Sequence, residues 1–148
     1  MLGRCQKNNS PQALGRSVGG FSTKIHAVCD SHRNPLKFIL SGGEQSDFKK
    51  ALPLLEGLKA EFVLADRGYD ADYVVEAIQK MGAEAVIPPK KNRKVLREYD
   101  EHLYKERNLV ERLFNKLKNF RRVATRYDKL DVTFLAFIHL ASITLWLK

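Results

Sequence analysis

The sequence predicts a mixed α/β domain in which helices cover the faces of a sheet. Short apolar runs that suit strands alternate along the chain with segments in which apolar residues recur at helical spacing. The chain has 148 residues, of which 44% are hydrophobic and 29% are charged. That length and composition are typical of one folded domain and exclude a disordered chain.

The predicted elements begin after an irregular arm over residues 1–15, where glycine, asparagine and proline occur without an apolar period. The runs 21–30 and 35–42 are rich in apolar and β-branched residues and are joined by a short polar segment, which predicts an antiparallel hairpin. Asp30 at this turn suits an Asx turn. Apolar residues at helical spacing over 48–55 then predict a helix.

This first helix should be capped by Ser46 or Asp47, and Pro53 should keep it short or kinked. The apolar run 61–65 suits a buried strand that ends at Asp66.

A second helix should follow, with Asp70 as its cap and Gly82 as its stop. Residues 83–87 form another apolar run that two prolines close, which predicts a further strand. The remaining predicted elements are a basic loop over 90–100 and helices over 104–120 and 132–147.

Neither the cysteines nor the apolar segments indicate export or a membrane. Cys5 and Cys29 lack the spacing of a disulfide framework or a zinc site. The N-terminus has no apolar core of the kind a secretory signal needs. The longest apolar run, 134–147, has 14 residues, whereas a membrane span takes roughly 20. The sequence therefore predicts a cytoplasmic protein.

Positive charge is concentrated in one part of the chain. The 26 Lys and Arg residues outnumber the 17 Asp and Glu residues, which gives a net charge of +9. Residues 90–129 hold 14 of the basic residues and 6 of the acidic ones, so this stretch carries +8. Clustered Lys and Arg release counterions from phosphates, which predicts a polyanionic partner. A merely solvated charged surface is the alternative.

Asp66 stands where a predicted buried strand ends and a glycine turn begins, in the segment LADRGYD. Side chains at the carboxyl ends of strands line the functional crevice of α/β sheets, and a carboxylate there can hold a metal ion. Capping of the turn is the alternative role for this side chain.

The helix predicted over 104–120 carries one polar stripe, formed by Tyr104, Arg107, Glu111 and Lys118. At 100° per residue these four side chains fall within a sector of about 60°, beside the apolar face of the helix. An ordinary i,i+4 salt bridge between Arg107 and Glu111, contributing ~0.2–0.5 kcal/mol, is the alternative to a functional role.

The spacing Y-x2-R-x3-E-x6-K of this stripe resembles the signature of DDE transposases from bacterial insertion sequences. LADRGYD resembles the family's segment around its second catalytic aspartate, and residues 111–129 resemble its segment from the catalytic glutamate onward. Residues 15–43 resemble the family's glycine-rich stretch with its second and third strands. The resemblance covers residues 13–148.

The resemblance implies a ribonuclease-H-like mixed sheet flanked by helices, with residues 16–148 as the C-terminal part of a DDE catalytic domain. In that family two aspartates and a glutamate hold two divalent ions, normally Mg²⁺, for DNA cleavage and strand transfer. By analogy, Asp66 is the second metal ligand and Glu111 the third, both catalytic. Tyr104, Arg107 and Lys118 would contact DNA phosphates or a DNA end. We place further DNA contacts on Lys90, Lys91, Arg93, Arg121 and Arg122.

One part of the family pattern is not matched. Residues 1–29 contain no Asp or Glu, so the family's first aspartate, which lies on its first strand, has no counterpart, and we expect that first strand to be lost or replaced. Asp47 resembles a recurrent aspartate of the family, although helix capping explains it adequately. We therefore expect the second reading frame of a split transposase gene or a truncated copy, inactive by itself.

The expected partners are transposon-end and target DNA, together with the upstream-frame polypeptide or a second copy of the chain. The expected location is the bacterial cytoplasm, at the nucleoid when DNA is bound, with no membrane partner. A noncatalytic DNA-binding or inhibitory transposase fragment is the alternative function. Another ribonuclease-H-like nuclease is a third.

Overall fold

The computed structural model describes residues 12–18 and 20–147, and it contains an antiparallel sheet at its start. Strand β2 (Gly20–Cys29) pairs with β1 (Gly15–Ser17) over residues 20–22 and with β3 (Pro35–Gly42) over residues 23–29. The predicted hairpin is confirmed. The expected arm lies mostly outside the described residues, and its last residue, Gly15, already belongs to β1.

Asp30 forms the expected Asx turn between β2 and β3. Its Oδ1 accepts hydrogen bonds from the backbone N–H groups of His32 at 2.8 Å and Asn34 at 2.9 Å. These bonds fix the reversal of the chain, and they hold the pKa of the Asp30 carboxyl below its usual range against the opposing effect of burial.

A parallel pair of strands follows. Strands β4 (Phe62–Leu64) and β5 (Glu84–Val86) are connected by helix α2 (Asp72–Lys80). Helix α2 ends before Gly82, whose φ of +80° is readily adopted only by glycine, so the predicted stop is confirmed. The predicted cap is wrong. Ala71 occupies the N-cap position, and the Asp70 carboxylate is turned toward the basic loop.

The helix predicted over 48–55 is present but short. A 3-10 helix (Asp47–Lys50) leads into α1 (Ala51–Leu55). Ser46 occupies the N-cap position of this 3-10 helix, as predicted, but its side chain makes no capping hydrogen bond. The Asp47 carboxylate instead accepts a hydrogen bond from Lys24 Nζ at 2.9 Å, which joins the start of this segment to β2.

The helix predicted over 104–120 is divided into shorter pieces. Helix α3 (Glu101–Tyr104) is followed by a 3-10 turn (Lys105–Arg107) and then by α4 (Asn108–Leu117). Because a 3-10 turn advances about 120° per residue, the angular positions calculated for one regular helix do not hold at the N-terminal end of the stripe, across residues 104–107. A short helix, α5 (Arg121–Ala124), precedes the final helix, α6 (Asp131–Trp146), whose position is confirmed. No helix among the described residues is long and apolar enough to cross a membrane.

The sheet differs from the single mixed sheet that the sequence predicts. In the part of the chain that the structure describes, the strands form two separate sheets, one antiparallel and one parallel. Each sheet packs on its own apolar cluster. One cluster comprises Phe38, Leu113, Leu117, Val123, Phe134, Ile138 and Ala141, and the other comprises Ala51, Val74, Ile78, Ala83 and Ile87. The two sheets are separate because a groove, and not a hydrogen-bonded ladder, lies between β2 and β4.

Candidate functional site

The groove between β2 and β4 has a volume of about 440 Å³ and brings together the two predicted acidic residues. Asp66, directly after β4, and Glu111, on α4, both line it, together with Arg107. The rest of its lining is mostly apolar, from β2, α1, α2 and α4. The groove therefore combines charged groups with an apolar interior.

Asp66 is partly buried because it follows a short strand that is packed under α2. Its Oδ1 accepts a hydrogen bond from the Gly68 backbone N–H at 2.8 Å and begins the 3-10 turn Arg67–Tyr69. The turn-capping alternative therefore describes a real contact. It does not exclude the functional role, because a carboxylate has two oxygens and this bond occupies only one of them.

Glu111 lies in the first turn of α4, and half of its side chain is exposed. Its Oε1 accepts from Arg107 Nη2 at 2.8 Å, so the ordinary i,i+4 salt bridge is also present. The guanidinium of Arg107 lies over the ring of Tyr104, with 5.3 Å between the Cζ atom and the ring centroid. Three of the four stripe residues are thus in contact along α3 and α4.

Tyr104 is electrostatically linked to Asp66. Burial and the negative charge of Asp66 raise the pKa of the Tyr104 hydroxyl, while Arg107 opposes the rise. Lys118, in contrast, follows the end of α4 and lines a different pocket with Arg126 and Asp128. Three stripe residues therefore gather near Asp66 and the fourth does not. Lys118 lies seven residues after Glu111, which places it about 10 Å farther along the helix axis at a rise of about 1.5 Å per residue.

A set of polar groups at the same groove was not among the predicted site residues. The buried His26 ring hydrogen-bonds to the hydroxyl of Tyr69 at 3.0 Å through Nδ1 and to that of Ser41 at 2.7 Å through Nε2. Burial lowers the pKa of His26, so its ring stays neutral near pH 7. Asp47 and Lys24 complete this set. Its sequence signal was weak, because its residues come from three separate segments, at 24–26, 41–47 and 69.

The predicted DNA-binding residues fall into two groups. Arg93 is partly buried, since its side chain is 18% exposed and pairs with Asp70 at 3.0 Å and Asp72 at 2.7 Å. Lys90 has its ammonium 4.7 Å from the Phe48 ring centroid. The others, Lys91, Arg121 and Arg122, are exposed.

The carboxylates of the groove are oxygen donors of the type that Mg²⁺ prefers. Among the residues that the structure describes, however, no group of three or more His, Cys, Asp or Glu side chains is arranged to hold a metal ion. One oxygen of Glu111 is also paired with Arg107. The described residues therefore do not by themselves form a complete divalent-metal site.

Comparison with known proteins gives one family. Residues 7–146 match the family described as "Transposase DDE domain". A Brucella ovis protein, provisionally named the transposase for insertion sequence element IS6501, is 40% identical over 129 residues, which are 86% of this chain and 99% of that protein. A Burkholderia cepacia protein, provisionally named the transposase for element IS402, is 31% identical over 119 residues, which are 72% of this chain and 54% of that protein. No solved structure matches the chain.

Proposed function

Because this chain belongs to the DDE transposase domain family, we propose that it is the catalytic-domain part of an insertion-sequence transposase. The reaction would be cleavage and strand transfer of DNA, in the cytoplasm of a bacterium. The observation that supports this most strongly is the meeting of Asp66 and Glu111 at one groove, from segments 45 positions apart. We also propose that the domain has a ribonuclease-H-like fold.

The residues of the groove have distinct tasks in this proposal. Asp66 and Glu111 supply negative oxygens for divalent cations, with Mg²⁺ as the expected ion, whose role is to stabilise the charges of phosphoryl transfer. Arg107 supplies a planar guanidinium suited to a phosphate oxygen, and Tyr104 supplies a hydroxyl beside it. Because the described donor set is incomplete, we assign no step of the reaction to a metal ion in this chain alone.

The test is an excision assay in bacterial cells. A marked copy of the insertion sequence that carries this gene, with all of its own reading frames, is placed on a plasmid, and loss of the marker is counted. Asp66→Asn and Glu111→Gln should each lower excision on the order of 100-fold, because each removes a negative oxygen that would hold a divalent cation at the reacting phosphate. Asp72→Asn, at a carboxylate that is 74% exposed and outside the groove, is the matched control.

Unchanged excision with Asp66→Asn would overturn the catalytic role and leave DNA binding or inhibition as the function. Binding of a terminal-repeat duplex by the purified Asp66→Asn chain should equal that of the unaltered chain. The purified 148-residue chain should cleave that duplex little in Mg²⁺. Efficient cleavage would contradict the proposal that its metal site is incomplete.

A further inference from the structure

The buried histidine of the groove has no task in the function proposed above. The His26 ring, on β2, is hydrogen-bonded through both of its nitrogens, to Tyr69 at 3.0 Å and to Ser41 at 2.7 Å. Replacing a buried hydrogen-bonded group and its partner by apolar side chains is often nearly neutral for stability. The specific contribution of His26 therefore lies in what its hydrogen bonds hold in place.

Tyr69 is the last residue of the turn that carries Asp66. Its backbone N–H donates to the Asp66 carbonyl at 3.0 Å, while the Asp66 carboxylate accepts from the Gly68 N–H at 2.8 Å. The Tyr69 ring packs against the apolar cluster formed with α2, and its hydroxyl reaches His26. In the described part of the chain no ladder joins β2 to β4. The bond to His26 thus ties the turn after β4 to β2 across the groove.

Strand β2 also positions the helix that carries Glu111. Leu113 of α4 belongs to the apolar cluster against which Ile25 and Ala27 pack. Successive side chains of a strand point to opposite faces, so His26 lies on the face opposite Ile25 and Ala27. Strand β2 therefore holds α4 on one face and the turn after β4 on the other. It is the common support of the two predicted acidic residues.

A second contact with β2 limits how far the turn can shift. A Cβ atom at Gly68 would lie 2.9 Å from Asp66 Oδ1 and 3.0 Å from Asp47 Oδ2, so both carboxylates lie close against the turn. Asp47 pairs with Lys24 of β2 at 2.9 Å, and this positive charge offsets the repulsion between the two carboxylates. The turn is thus confined by Asp47 and held by His26, and both are attached to β2.

We propose that His26 is a positioning residue, whose hydrogen bond to Tyr69 holds the Asp66 turn at a fixed separation from Glu111. The inference rests on the function proposed above, because only a site that uses both carboxylates needs a fixed separation. A displacement of about 1 Å in the reacting geometry can lower a rate on the order of 100-fold. Loosening of the turn should therefore lower DNA excision even while the chain stays folded.

Tyr69→Phe distinguishes positioning from packing, because it keeps the ring in the apolar cluster and removes only the hydroxyl. Tyr73→Phe is the matched control, since it removes a hydroxyl that donates to the Phe48 carbonyl at 2.9 Å on a side chain outside the groove. Amide hydrogen exchange of the purified chains is measured by NMR. Exchange at residues 68–70 should be about tenfold faster in Tyr69→Phe and unchanged in Tyr73→Phe. Exchange at Ile138 of α6 should be the same in both.

The excision assay then shows whether this loosening affects the reaction. His26→Asn places an amide near the position of Nδ1, beside Tyr69, whereas His26→Gln places one near Nε2, beside Ser41. Both variants lose the ring, so a purely structural role predicts similar losses. His26→Gln and Tyr69→Phe should each lower excision on the order of tenfold, and His26→Asn should retain most of it. Tyr69→Phe should add little in the His26→Gln background, and Tyr73→Phe should have no effect.

Exchange that is unaltered by Tyr69→Phe, or that is equally faster at Ile138, would overturn the positioning role. Equal excision by His26→Asn and His26→Gln would overturn it too. So would a loosened turn with full excision, in an assay in which Asp66→Asn lowers excision. Unchanged excision with Asp66→Asn would instead overturn the proposed function, while the exchange measurements would still decide whether His26 holds the turn.

Discussion

Asp70 is the residue whose role the structure changes most. As a helix cap it would lie at the surface, but it is 5% exposed and its carboxylate accepts hydrogen bonds from the Lys90 backbone N–H, Arg93 and Arg97. Burial alone would raise the pKa of Asp70, yet these bonds and the two positive charges hold it below the usual range. Asp70 therefore fastens the basic loop onto α2.

Asp70→Asn should lower the free energy of unfolding by about 3 kcal/mol, because it removes the charge of the buried carboxylate that pairs with both Arg93 and Arg97. Urea unfolding at pH 7 measures the change. Asp72→Asn is the matched control, since Asp72 pairs with the same two arginines but its side chain is 74% exposed. Its effect should be below about 1 kcal/mol.

The effect of Asp70→Asn on stability should also depend on pH. A carboxyl whose pKa is lowered by folding contributes stability above its unfolded pKa of about 3.9, and this contribution is lost as the pH falls toward the folded pKa. The difference in stability between the unaltered chain and Asp70→Asn should shrink from pH 5 downward. A constant difference would show that Asp70 does not act through its charge.

At the scale of elements, the longest helix is the simplest to explain. The residues of α6 are apolar on every side, which predicts a helix but not which of its faces is buried. In the structure Ile138 is fully buried against α4 and β3, whereas Ile143 on the same helix is 54% exposed. Packing of α4 and β3 against one side of α6 decides this difference.

Ile138→Ala should lower the free energy of unfolding by about 3 kcal/mol, because it removes buried methyl groups and leaves a cavity. Ile143→Ala makes the same chemical change on the same helix and should have an effect below about 1 kcal/mol. Chemical denaturation of both variants measures the difference. Equal effects would mean that the α4–α6 contact is not as the structure has it.

The helical segment around Glu111 contains a break that the apolar periodicity of the sequence does not predict. The apolar spacing is continuous over 104–120, and it does not reveal the 3-10 turn Lys105–Arg107. That turn keeps Tyr104 and Arg107 in contact with each other while α4 ends before Lys118. The ion pair and the ring contact form locally, whereas Lys118 lies apart because about two helical turns separate it from Glu111.

At the scale of the whole molecule, the net charge of +9 is distributed unevenly, with +8 on the stretch 90–129 and +1 on the rest of the chain. Part of this positive charge is already paired within the protein, because Arg93 and Arg97 form ion pairs with Asp70 and Asp72. The exposed remainder, which includes Lys91, Arg121 and Arg122, is available to a polyanion. Electrostatic attraction to DNA should therefore depend on a few exposed residues.

Lys91→Ala and Arg121→Ala should each weaken binding of duplex DNA and reduce the salt dependence of the logarithm of affinity by about 0.9, the value for one lost phosphate contact. Fluorescence anisotropy titrations at several salt concentrations measure this slope. Lys59→Ala and Lys80→Ala, at exposed lysines outside the stretch, are controls and should leave the slope unchanged. If the slope were the same for all four variants, DNA binding would not depend on the exposed basic residues of the stretch 90–129.

The sequence by itself determined the family signature, the hairpin, the alternation of strands and helices and the position of α6, because these depend on local periodicity, turn residues and short spacings. Only the tertiary structure decided the role of Asp70, the polar set around His26 and the separation of the two sheets. Those features depend on contacts between segments that are distant along the chain. The open groove beside Asp66 is the clearest case, since a space bordered by β2, β4 and three helices leaves no local pattern in any one of them.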